Sequence, residues 1–243
     1  MLRFLIVLSL LIPSFGYAYE CNEEIDQISK EYEVSILCKK NSMSRTMRET
    51  EFSEPSQAQL FSINNSLKIF FSIYDKKFLK NNIKILGLFS NLRFEGKRVG
   101  GLSDGKDIYI NVKSESNRDL FYLRALNHEL SSNILDNMSY KNRVDWTISS
   151  GSYNYSRSYY EKCLEENTFY NEYDNQILEN GFLTNYALTG MINDFNVYAE
   201  RLFTNDPNLK IFAQRYPRIA KKLKILKQTY RQAGYTGKFP DET

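Results

Sequence analysis

Histidine is almost missing from this chain: its 243 residues include one, with three cysteines, five prolines and a single tryptophan. One imidazole excludes every metal site that needs two histidine ligands, and leaves a single such group for acid–base chemistry. No Cys-x-x-Cys pair occurs, and no phosphate-binding glycine loop precedes a helix. Charge of one sign is also scarce. Lys and Arg number 32 against 29 Asp and Glu, a net charge of +3, so the composition gives no argument for nucleic acid. Hydrophobic residues at 42% and charged residues at 25% are ordinary globular values, and 243 residues suffice for one domain with a real core.

Long apolar runs are absent except at the start. Arg3, the run Phe4 to Ile12, Pro13 and then Gly16-Tyr17-Ala18 have the layout of a signal peptide over residues 1–18, with small residues at positions −3 and −1. An uncleaved anchor is the alternative, but a bilayer span needs about 20 apolar residues and this run is shorter. A mature chain from Tyr19 in the periplasm, or secreted, is the expectation. Glu20 spoils the small-residue box that lipidation of Cys21 would need. Under oxidising conditions Cys21 and Cys38 are candidate disulfide partners, which leaves Cys163 as a lone thiol.

Residues 19–56 are expected to form an N-terminal segment and linker, polar over 40–58, ahead of one domain over 57–243. Leu60, Ile63, Leu67, Phe70, Phe71, Tyr74 and Phe78 recur at helical spacing between Gln57 and Leu79. Strands are expected over Ile83–Phe89 and Asp107–Val112. The turn signals Gly100-Gly101 and Asp104-Gly105 between them suggest an antiparallel unit. A helix capped by Ser116 follows, with Asp119 in its first turn and Leu120, Leu123, Leu126, Leu130 and Ile134 as its buried stripe. Trp146 and the tyrosine-rich stretch Tyr153 to Tyr160 are expected in loops. Helices over Asn193–Phe203 and Pro217–Gln232 close an α+β order of elements.

Residues 210–238 carry nine basic side chains and no acidic one. Ile219, Leu223, Leu226 and Tyr230 account for the apolar side of the last helix as core, and its lysines for a solvated face. Membrane-surface contact is therefore not expected, nor is nucleic acid.

The one histidine stands in Asn127-His128-Glu129-Leu130-Ser131-Ser132. Zinc peptidases use His-Glu-x-x-His on a helix because positions i and i+4 share a face, so two imidazoles grip the metal while Glu polarises water. Here His128 and Glu129 are in place and Ser132 occupies i+4. Three segments together resemble the zinc-binding metallopeptidases of the bacterial envelope, whose fold is gluzincin-like. They are Gly100-Gly101 through the 108–112 strand into His128-Glu129, then Trp146 with the loop to Tyr155, and lastly Gly181 to Ala187 followed by Asn193-Asp194-Phe195-Asn196-Val197-Tyr198-Ala199-Glu200.

That resemblance implies a zincin-like α+β domain, a small antiparallel sheet on a metal-site helix with a mainly helical C-terminal half. It implies His128 as zinc ligand and Glu129 as general base. Ser132 and Asn193 fall at the expected second and third ligand positions, so the motif is degenerate. Asp194 is the expected substitute ligand, or Glu200 if the helix turns it inward. Two functions are expected from this: zinc-dependent peptide-bond hydrolysis, or a catalytically inactive pseudo-peptidase that binds an envelope peptide or protein with Ser132 and Asn193 facing each other. Oligomeric state is not legible.

Overall fold

A computed structural model describes residues 21–39, 50–113, 118–151, 153–156, 158, 159, 161 and 174–242. The expected signal segment, the Ser116 cap, Tyr160 and Cys163 lie outside these residues. The described chain opens with α1 (Glu23–Tyr32), capped by the Asn22 side chain accepting from the Ile25 N–H, and β1 (Ser35–Leu37). Cys21 and Cys38 are disulfide-bonded, closing this unit across a Cα separation of 5.4 Å. Cys21, Ile25, Ile28 and Ile36 belong to the main core, so these residues are built into the domain. The expected linker region differs at its end, where Thr50–Ser53 forms β2.

The apolar periodicity from Gln57 onward is divided between α2 (Gln57–Ile73) and α3 (Lys76–Asn82). Ser56 and Gln59 make a reciprocal capping box at the start of α2. Asp75 starts α3 by accepting from the Phe78 N–H, and the buried stripe runs on across the break through Tyr74, Phe78 and Leu79.

Four strands follow: β3 (Ile85–Phe94), β4 (Lys97–Arg98), β5 (Gly101–Asp104) and β6 (Asp107–Asn111). The main sheet has the order β1-β3-β6-β5, with β2 and β4 pairing antiparallel to β3. β1, β3 and β6 are parallel, and β5 alone runs antiparallel to β6. The sheet is thus mixed, not antiparallel as the turn signals suggested. Those turns belong to other pairs. β3 continues to Phe94 and folds back on β4 through Glu95-Gly96, both at positive φ, while Gly105 (φ 64°) opens the two-residue turn of the β5–β6 hairpin. β6 is thereby laid between β5 and β3.

Alternation sorts the strand side chains onto two faces. Leu86, Leu88, Ile108 and Ile110 face the helices, whereas Phe89 and Tyr109 pack with Phe52 and Leu102 on the reverse.

Beneath β5 and β6 lies α4 (Asp119–Leu135), held to α2 by Asp119, which accepts from Ser66 and Asn65. Leu126, Leu130 and Ile134 are buried as expected, but Leu120 is half exposed at the helix start. The Trp146 region, expected as loop, is helix α5 (Tyr140–Ile148). Then come α6 (Asn175–Glu179), a 3-10 turn (Asn185–Thr189), α7 (Met191–Phe203), α8 (Pro207–Arg215) and α9 (Pro217–Gln232). α9 has the expected ends. Proline supplies its first turn, and Gly234 (φ 97°) closes it with Tyr235 N–H donating to the Tyr230 carbonyl. α7 packs along α4, buried through Phe195, Val197, Tyr198, Ala199, Leu202 and Phe203. Removing one such aromatic costs about 3–5 kcal/mol, so apolar packing fixes the azimuth at which α7 presents its polar residues.

Candidate functional site

A cleft of about 920 Å³ opens between β5, α4 and α7. Its floor carries His128, Glu129 and Ser132 from α4, and Asn193, Asn196 and Glu200 from α7. On α4 the i, i+4 spacing does bring His128 and Ser132 to one face, while 193, 196 and 200 share a face of α7.

The two helices meet through paired side chains. His128 Nδ1 lies 2.5 Å from Glu200 Oε1, and both groups are nearly buried. One turn along, Asn196 donates to the Ser132 hydroxyl at 2.7 Å and accepts from Ser131 at 2.6 Å. Tyr186, from the 3-10 turn, stacks on the imidazole with ring centroids 5.9 Å apart. Burial works against charge on His128, but the hydrogen bond and charge of Glu200, with the charge of Glu129, outweigh it and raise its pKa. For Glu129 burial dominates: it pushes the carboxyl up to about 7, with Glu200 adding to the rise and His128 and Ser103 opposing it.

Glu129 also explains Gly101. A Cβ at that position would meet Glu129 Oε1 at 2.6 Å and the Tyr109 carbonyl at 2.9 Å, so only glycine lets the helix carboxylate come this close to the strand. β5 itself is the end strand of the sheet. Pairs 102/109 and 104/107 are the hydrogen-bonded ones in a two-residue hairpin, and Asn111 N–H donating to the Gly100 carbonyl fits that phase. The backbone N–H and C=O of Gly101 and Ser103 therefore point away from β6, to an edge above the cleft that no strand among the described residues pairs with.

Asp194 goes elsewhere. It lies one residue beyond Asn193, about 100° around the helix, and its Oδ2 accepts from Lys222 (2.7 Å), Trp146 (2.8 Å) and Tyr155 (2.7 Å) in the core. The structure does not bring Asp194 to His128, and Glu200 is the acidic residue it does bring. Nor does Asn193 face Ser132: its amide donates to Thr189, and Asn196 takes the place opposite the serine. Asn196, Ser103 and Tyr186 were not singled out in the sequence. The signal that could have found Asn196 is its position a single helical turn before Glu200. Tyr153 and Tyr155 pack edge-on against Phe182 on the Asp194 side, away from the cleft.

No protein-family model and no curated protein matches the chain. Among solved structures the fold is similar to that of a "putative zinc-binding metallo-peptidase" from Bacteroides caccae, with TM-score 0.55 and 15% identity over 90% of each chain. At that identity the likeness speaks for the fold.

Because that neighbour is called zinc-binding, the donor set matters. A catalytic zinc takes three protein ligands from His, Cys and carboxylates, and leaves a fourth position for water. Among the described residues no three such groups are placed to hold a metal ion. The Glu200 carboxylate is occupied in orienting His128 Nδ1, a role outer carboxylates have toward histidine ligands. The hydroxyl of Ser132 is taken by Asn196, and Asn offers only a neutral oxygen. Among the described residues the cleft therefore falls short of the three-ligand set of a catalytic zinc.

Proposed function

We propose that this protein is a peptidase-type frame that binds an extended peptide without cleaving it. The observation that carries the reading is the pairing of His128 with Glu200 and of Ser132 with Asn196, which closes by hydrogen bonds the positions where ligands would converge. The open edge of β5 supplies the means of binding. An extended segment laid beside Gly101 and Ser103 gains main-chain hydrogen bonds there, and the cleft below receives its alternate side chains. The proposed ligand is a segment of an envelope peptide or protein, met after export of this chain to the periplasm or beyond.

Peptide hydrolysis is the second reading. It is favoured by Glu129, whose carboxyl near 7 has the affinity for protons that a general base at neutral pH requires.

The test uses peptides selected from a random phage-displayed library on the full chain, with affinity read by fluorescence anisotropy. Ser103→Pro removes one outward N–H, and an edge strand tolerates proline on its open side. The proposal expects at least a tenfold loss in that variant, with no cleavage by the wild type. Selected peptides that bind Ser103→Pro unchanged would defeat the edge-strand mode. Turnover that disappears in Glu129→Gln would replace binding with catalysis.

A further inference from the structure

Outside the cleft, α5 buries Asn142 and Trp146 and leaves its opposite side uncovered. Tyr140 is 83% exposed, Ile148 62% and Val144 39%, and their four-residue spacing makes one apolar stripe. α9 runs antiparallel beside it. Arg218 reaches the C-terminal end of α5, where a Cβ on Gly151 would meet its Nη1 at 2.4 Å. Lys221 Nζ lies 3.4 Å from Asp145 midway along, and Lys224 shares a groove with Ser139, the N-cap of α5. Three cations one turn apart thus follow the whole length of the helix.

Positive charge on this face is in excess. Asp145 is shared by Lys141 at 2.5 Å and Lys221, while Arg218 donates to the neutral oxygens of Glu179 (its carbonyl) and Asn180 (its side-chain amide). No acidic residue occurs from 210 to 238, and although Glu242 lines the groove that Lys224 shares with Ser139, it and Asp241 are both paired with Lys227.

We propose that this face docks the protein on an anionic phospholipid bilayer. Tyr140, Val144 and Ile148 would enter the boundary between headgroups and acyl chains, with Lys141, Lys221 and Lys224 on the lipid phosphates. Lysine stems suit this role because they lie along apolar surface while their ammonium groups reach outward. α9 alone argues against membrane contact, since Ile219, Leu223, Leu226 and Tyr230 are buried in the core. It is α5 that adds the apolar component. Among the described residues no helix is long and apolar enough to cross a membrane, so the contact is with the surface.

Co-sedimentation of the full chain with phosphatidylcholine vesicles, with and without phosphatidylglycerol, tests the proposal. Binding is expected only when phosphatidylglycerol is present. Lys221→Gln combined with Lys224→Gln should weaken it about 25-fold, at about fivefold per cation. Tyr140→Ser with Ile148→Ser should abolish it, and Phe61→Ser, at an exposed apolar position on α2, should leave it unchanged. Circular dichroism verifies that these surface variants fold. Absence of binding to phosphatidylglycerol vesicles, equal binding to phosphatidylcholine alone, or indifference to both double variants overturns the proposal.

Discussion

Glu129 concentrates the conflict at the floor of the cleft. Its carboxyl has a pKa of about 7 in the folded chain against 4.5 for an ordinary glutamate. Over that interval the folded state holds a proton that the unfolded state has released. The stability it contributes is therefore fully present below about 4.5 and lost as pH rises through 7. His128 is also raised from 6.5, and acts in the same direction. Glu129→Gln removes the carboxyl's share. Between pH 4.5 and 8 the unfolding free energy should move in favour of the variant by up to about 3 kcal/mol, measured by urea melts at several pH values. Parallel profiles for variant and wild type would mean that Glu129 ionises normally in the fold.

At the scale of elements, the helix pair α4–α7 is what the sequence made legible, and its pairings are what it hid. His128 and Ser132 share a face by spacing alone, and the last helix has the expected ends, Pro217 and Gln232. Turning Glu200 inward was foreseeable only as a condition, because its azimuth depends on how Phe195, Tyr198 and Leu202 pack. Asn196 gave almost no signal, since its partner Ser132 comes from another helix. The strand order was hidden for a related reason. Gly100, Gly101 and Gly105 mark turns, but a turn does not say which earlier strand the hairpin will join. α5 was hidden because Asn142, Asp145 and Thr147 are weak helix formers around a lone tryptophan.

One substitution tests the spacing of α4 and α7. Ser132→His places a second imidazole one turn from His128, and a metal held by the two imidazoles can draw Glu200 off His128 Nδ1 to complete the three donors zinc requires. The variant should take up stoichiometric zinc, seen by mass spectrometry of the intact protein. Failure to do so in a folded variant would mean that α4 and α7 are not set at metal-binding distance.

Across the whole molecule, a buried ion pair ties the C-terminal half together. Asp194 and Lys222 are both fully buried, and the ammonium also donates to the Gly181 carbonyl and sits 4.0 Å from the Phe182 ring centroid. Burial raises the Asp194 pKa and lowers that of Lys222, each opposed by the other's charge. With Trp146 and Tyr155 donating to the same oxygen, the pair joins α5, α7, α9 and the segment around Tyr155. Lys222→Met alone strands the carboxylate and should cost about 3–5 kcal/mol, whereas Lys222→Met with Asp194→Leu should recover most of it. Thermal melts of both variants measure this, and equal losses would show that the pair is not the cause. At the other end of the chain the Cys21–Cys38 loop adds up to about 3 kcal/mol on the chain-entropy model.

Hydrogen bonds with Glu200 and Asn196 occupy His128 and Ser132, the two positions at which the motif would hold a metal. Zinc content by mass spectrometry tests this most directly, on protein purified without a histidine tag and beside a His128→Gln variant. Far less than one zinc per chain is expected in both. One zinc per wild-type chain, lost in the variant, would contradict the account and return Glu129 to the role of a catalytic base.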